Sequence, residues 1–374
     1  MMKTATITFH SAENYGAFLQ AFALQQFVIN EFGVENKILN YVSDHMEEHY
    51  RILKKPESLQ DVLRNTMMIP FSRKLYKRKK RFKRDQLKYL QLTERFKDTD
   101  GYNKIIKEFD LCIAGSDQIW NLESEDFSEL FFLPNAKRKI SYAASAGTTI
   151  KDEWKPQYIK YLHSFEKVCV RETNAANYFD DLSLPSGKTE ICIDPTFLLP
   201  GATYRKMAGS YSLIDKPYIV YYSINNNSDS MRLASQIGKQ MGLPVIAIYS
   251  RVTSIFAMKY GMHTYFEAGP CEFLNLLLNA QCVLTNSFHG TALSIILRKP
   301  FARLGLQING EHIRDDRIDS ILEMTGLENR SVWNLNDFVG LDKKINWEYV
   351  EHETDSQVNH AKSYLKRHIL KESV

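Results

Sequence analysis

Short apolar runs that end in clusters of small or polar residues recur along the whole 374-residue chain, with amphipathic stretches between them. Thr4 to Phe9 is rich in β-branched residues and His10 to Gly16 is polar. Ala17 to Phe32 then places Phe18, Ala21, Phe22, Leu24 and Phe27 at helical spacing, and Val34 to Tyr41 reads as the next strand. Strand–helix–strand is the unit of a parallel sheet with right-handed crossovers. From Asp44 to about Thr99 the pattern is polar and helical, without strands. Alternation resumes with strands at Asp110–Ala114, Lys139–Ala144, Lys167–Val170 and Glu190–Ile193, and a helix over Lys151–Phe165. A second block follows, with strands at Pro217–Tyr222, Pro244–Tyr249, Gln281–Thr285 and Pro300–Leu304. Helices are expected over Asp229–Met241, Cys271–Ala280 and Thr291–Arg298. The expected fold is therefore α/β with two domains, 1–200 and 201–345. The insertion at about 44–99 is assigned to the first, and the tail, 346–374, reads as one or two helices whose docking partner the pattern does not give. Two such blocks in series predict an interdomain cleft faced by the carboxyl ends of parallel strands, where open α/β sheets bind ligands.

Length agrees with two domains at about 100–200 residues each. The chain is 44% apolar and 25% charged, which excludes a disordered or low-complexity protein. Its net charge of +4 makes nucleic acid an unexpected partner, so any anion is bound at a local site. Five cysteines without a CxxC spacing argue against a disulfide framework or a structural zinc site. Neither a signal-peptide core nor a run of about 18 apolar residues is present, so a cytoplasmic location is expected.

Four polar clusters sit at strand ends or helix starts. The sharpest is Asn286-Ser287-Phe288-His289-Gly290-Thr291, between a buried strand and an apolar helix. A helix starting near Gly290 puts its positive dipole end beside His289, where an anion can be held. Imidazole can give or take a proton near neutral pH. The plainer alternative is that Ser287 or Thr291 caps the helix and His289 bonds locally. The second cluster, Gly115-Ser116-Asp117-Gln118, offers close backbone approach, donors and acceptors for sugar hydroxyls, and a carboxylate able to act as base. Its alternative is an aspartate capping a tight turn. Third, Arg171 ends a strand and can grip a carboxylate or phosphate with its planar fork, or pair locally with Glu172. Fourth, Asn14-Tyr15-Gly16 enters the first helix without a GxGxxG pattern. The spacing His45-x-x-Glu48-His49 matches one zinc-protease motif, but it lies in a polar stretch and reads as a solvated helix face. Arg73–Arg84 holds nine Lys/Arg in twelve residues and leaves the rest of the chain net acidic. It reads as a solvated helix, or as a peripheral contact with anionic membrane where the acceptor is lipid-linked.

In order and separation, Asn14-Tyr15-Gly16-Ala17-Phe18-Leu19-Gln20, Gly115 to Asn121, Val170-Arg171-Glu172 with Asp194-Pro195-Thr196, and Thr285 to Gly290 resemble the polysaccharide pyruvyl transferase family over roughly residues 1–305. The resemblance implies a GT-B-like arrangement of two Rossmann-like domains, with the helical tail 346–374 packing back on the first, and transfer of a pyruvyl group from phosphoenolpyruvate to two hydroxyls of one sugar. The product is a cyclic ketal of a surface polysaccharide. It further implies His289 and Arg171 at the donor, with Asp117 on the acceptor, which is a free, nucleotide-linked or lipid-linked sugar. No metal or redox cofactor is called for. The competing readings are a GT-B glycosyltransferase using a nucleotide sugar and a non-catalytic carbohydrate-binding relative.

Overall fold

The computed structural model describes residues 2–147, 150–225, 227–308, 311–338 and 344–371. In chain order its strands are β1 (Lys3–Ile7), β2 (Glu35–Ile38), β3 (Leu111–Ala114), β4 (Lys139–Ser141), β5 (Cys169–Val170), β6 (Glu190–Ile191) and β7 (Ile219–Tyr222). There follow β8 (Val245–Ile248), β9 (His263–Tyr265), β10 (Cys282–Thr285), β11 (Phe301–Leu304), β12 (Leu306–Ile308), β13 (Glu311–Ile313) and β14 (Ser331–Val332). The α-helices are α1 (Tyr15–Phe32), α2 (Asp44–His49), α3 (Leu59–Met68), α4 (Ser72–Tyr89), α5 (Thr99–Ile105), α6 (Lys155–Leu162) and α7 (Thr173–Asp180). The remainder are α8 (Gly201–Ala208), α9 (Ser228–Met241), α10 (Pro270–Asn279), α11 (Phe288–Ile296), α12 (Asp316–Thr325) and α13 (Trp347–Leu370).

These elements form two units. The first combines Met1–Tyr50, Gln86–Leu199 and Thr354–Val374, and the second Arg51–Asp85 and Pro200–Glu353. The expected insertion of 44–99 into the first domain is thus corrected for Arg51–Asp85. The reason is packing: Met68 and Leu75 share one buried cluster with Tyr249 and Phe266 of the second unit.

In the first unit β2-β1-β3-β4 form a parallel sheet. Parallel bridges Ile140–Lys167 and Ala144–Val170 carry it on to the pair β5-β6. Its central strand β3 is apolar on both faces, as a strand covered on two sides requires: Leu111, Cys112, Ile113 and Ala114 are all buried. The tail helix α13 belongs to this unit from Thr354 onward. The Tyr364 hydroxyl donates to Ser141 O at 2.7 Å, and Arg367 Nη2 reaches Glu190 Oε2 at 2.9 Å.

The second unit has one sheet in the order β14-β11-β10-β7-β8-β9, every neighbouring pair parallel. Read from β9, this is the doubly wound order, whose chain direction reverses between β7 and β10. β9 and β14 escape a pattern reading because they have three and two residues. All five cysteines are free thiols, four of them buried. Burial pushes the Cys112 and Cys282 thiols up to about 12. Among the described residues no helix is long and apolar enough to cross a membrane.

Candidate functional site

Each unit gathers its polar clusters at the point where its own sheet changes direction. In the first unit that point lies between β1 and β3. Thr8, just after β1, donates its hydroxyl to Ser116 O at 2.8 Å and accepts from Gln20 Nε2 of α1 at 2.8 Å. The Asn14 side chain caps α1 by accepting from Ala17 N at 3.1 Å, and Tyr15 and Gly16 are buried in the first turn. Gly115 has φ +127°, and a Cβ there would collide with Tyr142 O, so only glycine lets the loop pass so close to the neighbouring strand. Asp117 is half-buried with φ +71°, a region in which aspartate is among the better tolerated residues. Its Oδ1 accepts from Gln118 N at 2.9 Å.

The Arg171 guanidinium lies in the same unit, its side chain 3% exposed. Nη1 is 2.8 Å from Asp194 Oδ2, and Nε is 3.6 Å from Glu172 Oε2. Asp194 also accepts from Ser116 Oγ at 3.4 Å and from Thr196 N and Oγ1 at 3.0 and 2.8 Å. Burial works to lower the Arg171 pKa, but Asp194, Glu172 and Asp117 outweigh it and hold the pKa above its ordinary value. Two buried carboxylates of its own chain therefore face this guanidinium.

The second unit's crossover point lies between β7 and β10. Asn286, directly after β10, accepts from Ile224 N at 3.3 Å and donates to Asn225 O at 3.2 Å, tying together the two loops that follow these strands. Ser287 N donates to Thr285 Oγ1 at 3.0 Å, and the Ser287 hydroxyl caps α11 by accepting from Gly290 N. The helix thus begins at Phe288, three residues before the Thr291 start expected from sequence. The serine at the cap, rather than the glycine, sets the first turn. His289 is buried in that turn, its ring edge-on to Phe288 at 5.2 Å, beside the positive end of the helix dipole. A Cβ at Gly290 would collide with Thr285 Oγ1 and come within 3.1 Å of Tyr222 Cδ1, which explains the glycine. Thr291 Oγ1 donates back to Ser287 O at 3.2 Å.

Arg303 is a residue the pattern reading passed over. It is in register with Thr285, the last residue of β10, so it stands at the same carboxyl edge. Its side chain is 3% exposed, and the nearest carboxylate, Asp319, lies 3.8 Å from Nη2. Nε and Nη1 have no hydrogen-bond partner among the described residues. The guanidinium lies over the Trp333 ring at 4.8 Å. Burial pulls its pKa below the ordinary arginine value despite Asp319 and Asp315. An under-compensated buried cation is costly, and an anionic ligand would compensate it. The only signal in the sequence is a charge inside the apolar run Phe301-Ala302-Arg303-Leu304.

The structure thus brings Asn14, Tyr15, Gly16, Gly115, Ser116, Asp117, Gln118 and Arg171 into the first unit. Asn286, Ser287, Phe288, His289, Gly290 and Thr291 belong to the second. The zinc-like spacing resolves into a surface helix, α2, whose His45 Nδ1 lies 2.9 Å from Asp126 Oδ1. Among the described residues no group of three or more His, Cys, Asp or Glu can hold a metal ion.

Residues 14–307 match the family model of polysaccharide pyruvyl transferases. No curated protein matches the sequence. Among solved structures, a putative UDP-N-acetylglucosamine 2-epimerase from Listeria monocytogenes is similar at TM-score 0.59 and 12% identity, covering 100% of this chain and 98% of its own. The UDP-GlcNAc 2-epimerase of Neisseria meningitidis, bound to UDP-GlcNAc, is similar at TM-score 0.54 and 10% identity, with 100% of both chains covered. An Anabaena protein in complex with UDP and glucose is similar at TM-score 0.55 and 7% identity, again over 100% of both chains. At such identities the likeness is one of fold, and that fold is GT-B-like.

Proposed function

Because this chain belongs to the polysaccharide pyruvyl transferase family, we propose that it transfers the pyruvyl group of phosphoenolpyruvate to two hydroxyls of one sugar, releasing phosphate and leaving a cyclic ketal. The donor's anionic groups are held at the start of α11 and by Arg303. A sugar hydroxyl adds at C2 of the donor as its methylene carbon takes a proton and becomes methyl. The second hydroxyl then displaces phosphate, and His289 supplies the proton to the departing oxygen. Asp117 orients an acceptor hydroxyl or accepts its proton. Arg171, facing Asp194 and Glu172, has little charge left for a donor carboxylate, and we assign it to holding the Asp117 loop. The observation that carries the reading is a buried histidine in the first turn of a helix at the sheet's crossover point, one strand away from an under-compensated buried arginine.

The test is incubation with phosphoenolpyruvate and a panel of free, nucleotide-linked and lipid-linked sugars. Phosphate release is measured together with acceptor mass, which should rise by one pyruvate less water. His289→Ala should lower turnover by at least about a hundredfold, the usual scale of a general acid, with an unchanged melting temperature. Near-normal ketal formation by that variant removes His289 from the chemistry. Stabilisation by UDP-sugars and none by phosphoenolpyruvate would point to nucleotide-sugar transfer instead.

A further inference from the structure

The segment Arg51–Asp85 takes no part in the chemistry above, yet it is built unlike an ordinary surface hairpin. A surface helix normally turns its apolar stripe to the core and its polar residues to water. Helix α3 departs from this over much of its length. Two of its polar side chains are tied back to the segment that precedes it: Arg64 Nη1 donates to Ile52 O at 3.2 Å. Asn65 donates to Lys54 O at 2.7 Å and accepts from Lys54 N at 2.9 Å. Met68 at its end is buried, but three of its apolar side chains point outward. Leu59, Val62 and Leu63 are 75%, 46% and 62% exposed, and Ile69, just beyond the helix end, is 58% exposed. Spacings of three (Leu59 to Val62), four (Leu59 to Leu63) and seven (Val62 to Ile69) residues put them on one side. Single exposed leucines are unremarked on any protein surface, but a four-residue stripe with inward-facing polar groups marks a contact surface.

The neighbouring helix α4 supplies the charge. Its buried stripe, Leu75, Arg78, Phe82 and Asp85, faces the second unit. Lys77 pairs with Glu267, and Arg81 and Arg84 with Glu272, so these three are neutralised internally. Arg73, Lys74, Lys79, Lys80 and Lys83 are exposed, and no carboxylate partner is recorded for them among the described residues. An outward apolar stripe next to an uncompensated basic helix is the arrangement that seats on an anionic bilayer: apolar side chains enter the interface, and ammonium and guanidinium groups meet phosphate.

We propose that α3 and α4 form a docking surface for an anionic lipid membrane. The cluster of Met68, Leu75, Tyr249 and Phe266 anchors the hairpin where β8 and β9 end. Because that sheet is wholly parallel, this is the edge that also carries His289. Docking therefore brings the second unit's functional edge to the lipid surface, which suits an acceptor sugar carried on a lipid phosphate. That last clause rests on the pyruvyl-transfer reading; the docking itself rests on the two helix faces alone.

The full-length protein is sedimented with vesicles of phosphatidylcholine alone and of phosphatidylcholine mixed with phosphatidylglycerol. Binding at least about tenfold tighter to the anionic vesicles, weakening as salt is raised, is expected. Leu59→Asp/Leu63→Asp and, separately, Lys79→Glu/Lys80→Glu should each weaken it by about tenfold or more, with unchanged melting temperature. Both variants should keep any stabilisation by phosphoenolpyruvate, so that failure of the donor reading and failure of docking are seen separately. Equal binding to both vesicle types, or full binding by the variants, overturns the proposal. So does a protein dimer dispersed by Leu63→Asp without vesicle binding, since the stripe then covers a second copy of the chain.

Discussion

Replacing Arg303 with methionine separates stability from ligand binding in one experiment. In the wild type a guanidinium with a 3% exposed side chain meets one carboxylate at 3.8 Å and has two nitrogens without partners among the described residues. Exchanging a poorly compensated buried charge for an apolar side chain of similar length typically stabilises by about 1–4 kcal/mol. Loss of the contact with Trp333 at 4.8 Å takes back about 0.5–2 kcal/mol. Asp319 is not stranded, because Arg314 Nε lies 3.2 Å from its Oδ2. The expected net effect of Arg303→Met is a gain of about 1 kcal/mol, or roughly 2–4 °C in melting temperature for a unit of this size. The cost falls on the ligand: at a phosphoenolpyruvate concentration about a hundredfold above Kd, the wild type gains about 2.7 kcal/mol, and the variant should lose most of it. Urea titrations followed by circular dichroism, with and without phosphoenolpyruvate, measure both. A variant destabilised by more than about 1 kcal/mol would make Arg303 a structural residue. One that keeps the full ligand-induced gain would remove it from anion binding.

Asp194→Ala takes the nearest carboxylate, 2.8 Å away, from the buried Arg171 guanidinium, and should destabilise by about 3–5 kcal/mol. Adding Arg171→Met should recover part of that loss in the double-mutant cycle, whereas simple additivity would show that the pair is not coupled. Lys139 donates to the carbonyls of Phe132 and Leu133 at 2.8 and 3.1 Å, and burial lowers its pKa to about 8. An unfolded lysine titrates near 10.4, so between about pH 8 and pH 10.4 the unfolded chain holds more protons and stability rises with pH. Lys139→Met should remove that rise, at most ~3 kcal/mol, when urea midpoints are compared across the interval; an unchanged slope would assign the rise to other groups.

The sequence revealed what is local or periodic. The alternation of Gln281–Thr285 with the apolar helix after it placed the His289 loop at the end of a buried strand, where β10 and α11 put it. The α13 helix spans Trp347–Leu370, the limits its composition implies. What stayed hidden depends on distant partners. Helix α4 reads as a solvated basic helix until Tyr249 and Phe266, more than 160 residues later in the chain, receive its apolar stripe. Arg303 is one charge in a four-residue strand, and nothing beside it in the chain distinguishes an anion site from an ion pair. A local pair of Arg171 with Glu172 was legible from their adjacency, whereas Asp194, which accepts from the guanidinium at 2.8 Å, lies 23 residues further on.

Helix α13 sets a condition on how the protein is made. Its Tyr364 hydroxyl reaches Ser141 across 223 residues of chain, and Arg138 Nη2 donates to His368 O at 3.0 Å. While the ribosome is still at work the first unit lacks its closing piece, although its sheet has long since emerged. Everything from Pro200 to Glu353 must be synthesised before that piece arrives. The half of the molecule that starts first is therefore the half that finishes last, and a chain cut short before Tyr364 would leave Ser141, Tyr142 and Glu190 without the side chains of α13 that meet them.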